Sequence, residues 1–509
     1  MMCGSMDASR IVGYFKGKSI LITGSTGFLG KIVVEKILRV QPDANKIYLL
    51  VRGTTDASAQ ERVQQEVIDT ELFGLLREKH GNGFQHFIHE KVVALAGDIV
   101  YENLGLEAPI LKELAKKIDI IINIAATTNF YERYDVSLDV NVMGVKHLCE
   151  FAKQCPMLKM FMQVSSAYVS GDREGLLLEK PIEPGESLRE GTYLDIEAEL
   201  QLVREAKKQL IITNNSSCDD DETHNNNKTE IRKAMKQLGL QRARHFGWSN
   251  SYVFTKAMGE MLLGQLRGDD MPVVIMRPSV ITSVRSDPLP GWMQGTRTID
   301  TLIIGYAKQN LSCFLGDLSV VVDVIPGDMV ANAMMAAMVA HSEEKGAQVV
   351  PVYHVTSSLR NPATYAVLYE SGRRHFYENP RVGKNGKVIP TREMRFFTTI
   401  ARFNLYMFLT FKLPLEILHL VNMLLCGLFS RLYNDLNRKY KFVMHLVDVY
   451  GPFAFFNGRF DDMNLERLRL TMAMKTPEDQ MFNFDPKTID WDDYFTKIHI
   501  PGVLKYLCK

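Results

Sequence analysis

Cysteine is scarce in this chain: seven in 509 residues, at Cys3, Cys149, Cys155, Cys218, Cys313, Cys426 and Cys508, with no CxxC pair among them. An odd count at such spacings excludes a disulfide framework and a structural zinc site, so no metal is expected and a reducing compartment is. A charge of one sign is lacking too. Lys and Arg total 60 and Asp and Glu 59, a net charge of +1, which removes any broad field for drawing nucleic acid. The stretch Met1–Ile11 has no apolar run of the secretory kind and no Ser/Arg-rich amphipathic character. No unbroken run of about 20 apolar residues occurs, so no spanning helix is expected. Leu405–Leu432 comes nearest, but Lys412, Pro414, Glu416 and His419 interrupt it. A helical hairpin in the core is the expectation there, and contact with a membrane surface is the alternative.

What is present is ordinary globular material, 46% hydrophobic and 23% charged, long enough for more than one domain. Short β-rich runs alternate with longer helical patterns: Ser19–Ile22, Lys46–Val51, Val92–Leu95, Ile118–Asn123, Lys159–Val164 and Pro272–Met276. Several are apolar throughout, as strands buried on both faces are. The alternation predicts an α/β fold, a Rossmann-type doubly wound parallel sheet, over residues 11–360. It fades after Tyr353–Ser357, and residues 361–509 read as a mostly helical C-terminal domain. Thr213–Lys228 (TNNSSCDDDETHNNNK) is polar and low in complexity. It is expected to be a disordered surface loop, with Cys218 and His224 solvated in it rather than holding a metal.

Ser19–Thr23 leads into Gly24-Ser25-Thr26-Gly27-Phe28-Leu29-Gly30, and a helical pattern follows from Lys31. Strand, glycine turn and helix stand in the order a dinucleotide site requires. Gly24 permits the turn, Gly27 lets backbone approach a pyrophosphate, and Gly30 lets the helix lie close to the strand. The helix N-terminus then offers N–H groups to the phosphates. At the end of the second strand, where an NAD site usually carries an acid, stands Arg52. A guanidinium suits a 2′-phosphate, so the expected cofactor is NADPH. Asp98 and Ile99 after the third strand, and Ala125 and Ala126 after the fourth, are further expected contacts.

Tyr252 and Lys256 stand at i, i+4 in a helical pattern (SYVFTKAMGEMLLGQL), which puts phenol and ammonium on one face. A free phenol titrates at about 10. The neighbouring ammonium is expected to lower it, and also to reach the nicotinamide ribose. Ser166, with Ser165 as the alternative, ends the fifth strand at the sheet edge where ligands bind, and supplies a hydroxyl to polarise a carbonyl. Tyr168 has Asp172 and not a lysine four residues on, so it is set aside as the base.

With these residues in place, the chain resembles the extended short-chain dehydrogenases/reductases, and within them the plant-type alcohol-forming fatty acyl-CoA reductases. ITGSTGFLGK (22–31), KIYLLVRG (46–53), QVSSAYVSG (163–171), YVFTKAMGEML (252–262), PGWMQGTRTID (290–300) and DVIPGDMVANA (323–333) carry the resemblance, together with the tail around Phe456–Asp462 and Ile489–Trp491. The resemblance implies a catalytic set at Ser166, Tyr252 and Lys256. It implies cofactor contacts at Gly24–Gly30, Arg52, Asp98, Ile99, Ala125, Ala126, Asn141, Lys256 and the turn Arg277-Pro278-Ser279. It implies NADPH-dependent reduction of a long-chain acyl-CoA, through an aldehyde, to a primary alcohol for wax-type lipids. The expected place is the cytosolic face of the endoplasmic reticulum as a peripheral protein, before the plastid. Met- and Leu-rich Thr301–Leu315 and Leu405–Leu432 are candidate walls of an acyl tunnel. A sugar-nucleotide epimerase or dehydratase, and a non-catalytic NADPH-binding scaffold, remain as alternatives.

Overall fold

The apolar runs become strands because each is buried on both sides. Every residue of Ser19–Thr23 (β1), Ile120–Asn123 (β4), Met160–Val164 (β5), Val273–Pro278 (β6) and Val352–Val355 (β7) is buried. With Lys46–Val51 (β2) and Val92–Ala96 (β3), they form a seven-stranded sheet in the order β7-β6-β5-β4-β1-β2-β3. All its pairings are parallel. The structure, a computed structural model, describes residues 6–215, 221–343, 349–383, 386–451, 453–472 and 476–508.

The strand order reverses between β1 and β4, so the crevice at their carboxyl ends is the topological switch point where such sheets bind ligands. Three polar side chains pin that edge. Thr23 Oγ1 donates to Asn123 Oδ1 at 2.6 Å, and Asn123 Nδ2 donates to Gln163 Oε1 at 2.8 Å, a buried ladder across β1, β4 and β5.

Residues beyond 361 fold back onto the sheet domain. Gly458–Phe460 pairs in parallel with Gly175–Leu177, and Arg395–Phe397 with Cys313–Leu315. Leu465, Leu468, Phe482, Phe484 and Trp491 share one hydrophobic core with Ile20, Ile22 and Ile37.

Two expectations are corrected. The described residues of the polar stretch 213–228 are helical: one helix runs through Asn215 (Ile196–Asn215) and the next begins at Asp221 (Asp221–His245), with 216–220 outside the described residues. Extending a formed helix fixes one residue per hydrogen bond, so a long flanking helix carries polar sequence with it. Cys218 lies outside the described residues. The second correction concerns Leu405–Leu432, which is no core hairpin. Ile400–Met407 and Leu413–Leu424 join through a π-turn, and Ser430–Tyr450 returns beside them. Residues 400–424 form a 25-residue apolar helix of mean hydropathy 1.4, long enough by length and composition to cross a membrane, and most of it is exposed. The interrupting charges hid that length in the sequence.

Candidate active site

Gly24 and Gly30 stand where no side chain fits. Gly24 has φ +70°, and a Cβ there would stand 2.6 Å from the backbone nitrogen of Ala125. A Cβ on Gly30 would come within 2.2 Å of the Gly24 carbonyl oxygen. The helix Phe28–Val40 that follows has Gly27 at its N-cap and no side-chain cap, so its first turn faces the crevice bare. That bare cradle is the shape a dinucleotide pyrophosphate needs.

A cleft of about 1030 Å³ opens over this turn. Gly24, Thr26, Gly27, Phe28, Leu29, Gly30, Arg52, Asp98, Ile99, Ala125, Ala126, Ser166, Tyr252, Lys256, Pro278 and Ser279 all line it, as does Ser165. The buried Ser165 hydroxyl has no protein partner, so it is available to a bound group. Three expected contacts are not in the lining. Ser25 is fully buried within the turn. Asn141 is a brace: its Oδ1 accepts from the Thr127 N–H at 3.1 Å, and its Nδ2 donates to Thr255 Oγ1 at 3.0 Å. It thereby ties the cleft loop to the helix that carries Tyr252. Arg277 is fully buried and pairs with Glu260, its Nε donating to Oε1 at 3.0 Å. Glu260 stands one turn beyond Lys256, so this ion pair fixes the catalytic helix to β6.

Helix Ser251–Leu266 starts at Asn250, whose Oδ1 accepts from the Val253 N–H, and presents Tyr252 and Lys256 to the cleft. Ser166 bonds the Tyr252 phenol, which selects it over Ser165. Burial pushes the phenol up to about 12, against the pull of the Ser166 hydrogen bond and of the Arg297 guanidinium. The expectation that Lys256 lowers this phenol is corrected. Lys256 Nζ instead donates to the Val164 carbonyl at 2.6 Å, and burial pushes its ammonium down to about 8. The cation acting on Tyr252 is Arg297.

Sequence reading missed Arg297, although PGWMQGTRTID contains it. Its guanidinium lies 4.3 Å over the Phe28 ring and donates to the Gln294 carbonyl at 2.9 Å. A lone arginine in a loop has no periodic signature, so nothing marked it. Also missed was Arg62, which lines the cleft beside Arg52 and donates to the Arg52 carbonyl at 3.0 Å.

The roof comes from the C-terminal part. Phe130 stacks on Tyr252 at 5.9 Å and meets Phe453 at 5.5 Å, while His445, Leu446, Val449 and Tyr450 close one wall. Tyr365 also lines a second, small apolar cavity of about 60 Å³, among Leu302, Ile303, Phe314, Leu368 and Phe396. Thr301–Leu315 thus contributes to an apolar space next to the cleft. Leu405–Leu432 lines neither space.

A family profile described as male sterility protein, NAD-binding, matches residues 22–334, and a second male sterility profile, Sterile, matches 410–509. Fatty acyl-CoA reductase 1 of Arabidopsis thaliana is 45% identical over 504 residues, covering 98% of this chain and 99% of that protein. The alcohol-forming fatty acyl-CoA reductase of Simmondsia chinensis is 45% identical over 502 residues, with the same coverage. Among solved structures, the terminal R domain of a myxalamid PKS-NRPS pathway superposes with a TM-score of 0.55 at 17% identity. It covers 96% of this chain and 91% of its own, and shares the fold. A sheet crevice with a bare glycine cradle, a Ser/Tyr/Lys set at its edge and relatives matched end to end place the chain in the fatty acyl-CoA reductase family of male sterility proteins.

Proposed function

We propose that this protein reduces a long-chain acyl-CoA to a primary alcohol with NADPH, by way of an aldehyde. One observation carries the reading: Ser166, Tyr252 and Lys256 meet in the same cleft as the glycine cradle, beside the stacked rings of Phe130 and Phe453. A reduced nicotinamide dinucleotide held on the cradle would supply one hydride to the thioester carbon, after which the carbon–sulfur bond breaks, coenzyme A leaves as the thiol and the aldehyde remains; a second reduced dinucleotide would supply the hydride that gives the alcohol. Ser166 and Tyr252 donate hydrogen bonds to the substrate carbonyl oxygen and stabilise the charge that builds there. Tyr252 gives its proton to the alkoxide, which suits a phenol held protonated by burial. Arg297 offsets negative charge left on the phenol. Lys256, anchored on the Val164 carbonyl and lining the same cleft, would be a donor to the dinucleotide's ribose. No cysteine step is needed, and Cys149, Cys155 and Cys313 are buried thiols pushed upward by burial.

The choice of NADPH over NADH rests on Arg52 and Arg62 at the cleft rim beyond β2, two guanidinium groups where a ribose 2′-phosphate would lie. The proposal includes action in wax-type lipid synthesis at the cytosolic face of the endoplasmic reticulum, a reading that an insoluble product and an exposed apolar surface support. The test is incubation of the purified protein with acyl-CoAs of several lengths and either NADPH or NADH, followed by product analysis. Alcohol from a long thioester with NADPH is expected. Formation of neither alcohol nor aldehyde from any thioester rejects the substrate, and an equal rate with NADH rejects the cofactor choice.

A further inference from the structure

The helical hairpin of residues 400–450 is built inside out. Its base is ordinary: Phe403, Met407, Val443, Leu446 and Val447 are buried against Leu311, Phe314 and Leu315. Its tip reverses the pattern. The two arms meet through polar and aromatic groups, with His419 stacked on Tyr433 at 4.8 Å and Asn422 Oδ1 accepting from the Phe429 N–H at 2.7 Å. The outward faces are apolar. Leu413, Ile417, Leu420 and Leu424 recur along one face of the first arm, and Leu432 and Leu436 along the second. Leu424 is 81% exposed and Leu428, in the turn between the arms, 74%. Soluble surfaces rarely carry so continuous an apolar patch without covering it.

The charge around the patch says what covers it. Along residues 402–441, exposed Arg402, Lys412, Arg438, Lys439 and Lys441 flank the tip, while the tip itself holds Arg431 with Glu416 and Asp435, in a chain whose overall charge is nearly zero. An apolar tip with cations on both arms behind it matches a bilayer of anionic phospholipid, which offers both hydrocarbon and negative headgroups. We infer that the hairpin tip, Leu413–Leu436, inserts into one leaflet of an anionic phospholipid membrane and lies in its interface. Spanning does not fit the geometry. The base of the hairpin is committed to the protein core, and the free first arm, Leu413–Leu424, reaches only about 18 Å, short of the roughly 30 Å hydrocarbon thickness. Helix Ser430–Tyr450 links the two surfaces: its start lies in the tip, and its end lines the catalytic cleft at His445 and Tyr450. Under the lipid-reductase reading on which this purpose rests, a substrate leaves the bilayer beside the cleft mouth.

The experiment uses the full chain and flotation with vesicles of phosphatidylcholine, alone or mixed with phosphatidylserine. The chain is expected to float with the mixed vesicles, less with phosphatidylcholine alone, and less again as salt rises. The triple variant Leu420→Glu/Leu424→Glu/Leu428→Glu is expected to lose at least tenfold in vesicle partition while reducing a short, water-soluble acyl thioester at the unaltered rate. Cys426 sits exposed at the tip, so maleimide labelling read by peptide mass spectrometry should be blocked by mixed vesicles in the unaltered protein. The inference is overturned if the unaltered chain does not float, or if the triple variant floats as well. It is also overturned if Cys426 is labelled from the vesicle interior, or if light scattering shows a dimer that the triple variant dissolves. Reductase activity on the soluble thioester is read separately, so loss of flotation and loss of the enzymatic reading are told apart.

Discussion

Lys256 should set the alkaline limb of the pH profile. Burial takes its ammonium from 10.5 down to about 8, and Glu260 opposes that shift. A depression of that size corresponds to about 3 kcal/mol of lost solvation for the charged form. The working form is the ammonium, which carries the positive charge and the hydrogen bond to the Val164 carbonyl. Activity is therefore present below about 8 and lost as pH rises through it. Tyr252, at about 12, stays protonated throughout the measurable range and contributes no limb there. The quantity to measure is kcat/KM for the dinucleotide from pH 6 to 10, since it reports the free enzyme. Above the midpoint it should fall about tenfold per pH unit. Lys256→Met should lower the plateau by roughly 10²–10⁴ and abolish the limb. The competing assignment is Lys31, also held near 8 by burial, whose Nζ donates to Gln294 at 2.6 Å beside the cradle. Lys31→Met should keep the limb. A limb that survives in Lys256→Met, or vanishes in Lys31→Met, refutes the assignment.

The buried Arg277–Glu260 pair gives a stability prediction: Arg277→Met leaves Glu260 charged and unpaired in the core, and should cost about 3–5 kcal/mol in thermal or denaturant unfolding. Adding Glu260→Met should recover much of that loss. Gly30→Ala drives a methyl group to 2.2 Å from the Gly24 carbonyl oxygen, so dinucleotide affinity by fluorescence titration should fall at least tenfold, with a stability loss of about 1–3 kcal/mol. Tyr365→Ala removes the ring between the cleft and the small apolar cavity behind it, and product analysis should show longer acyl-CoAs gaining relative to shorter ones.

The sheet and its cofactor edge were legible because their physics is local. Strands buried on both faces must be apolar throughout, and a turn that excludes every Cβ must be glycine. Tyr252 and Lys256 were legible as a pair through helical spacing, but their coupling was not. Spacing puts two side chains on one face without fixing where each tip ends, and Lys256 bends to the Val164 carbonyl while Arg297 acts on the phenol. Asn141 and Arg277 show a related limit of sequence motifs. A motif keeps a polar residue whether it touches the ligand or holds the wall behind it, and only the packing around Thr127 and Glu260 separates the two roles. The polar 213–228 stretch misled because composition measures the cost of ordering, and not what the neighbouring helices contribute.

Burial around Tyr252 is a product of both halves of the chain. Its ring stacks on Phe130, and Phe130 in turn meets Phe453 and Tyr450 from the C-terminal part. The desolvation that lifts the phenol to about 12 therefore depends on residues more than 190 positions beyond it as well as on its own helix. The same C-terminal helix that ends at Tyr450 begins in the apolar tip at Ser430. A single element thus joins the surface that faces outward to the wall that faces the reacting carbon. The glycine cradle comes from the Rossmann part of the chain, and the aromatic roof over Tyr252 comes in part from the segment that its motifs do not describe.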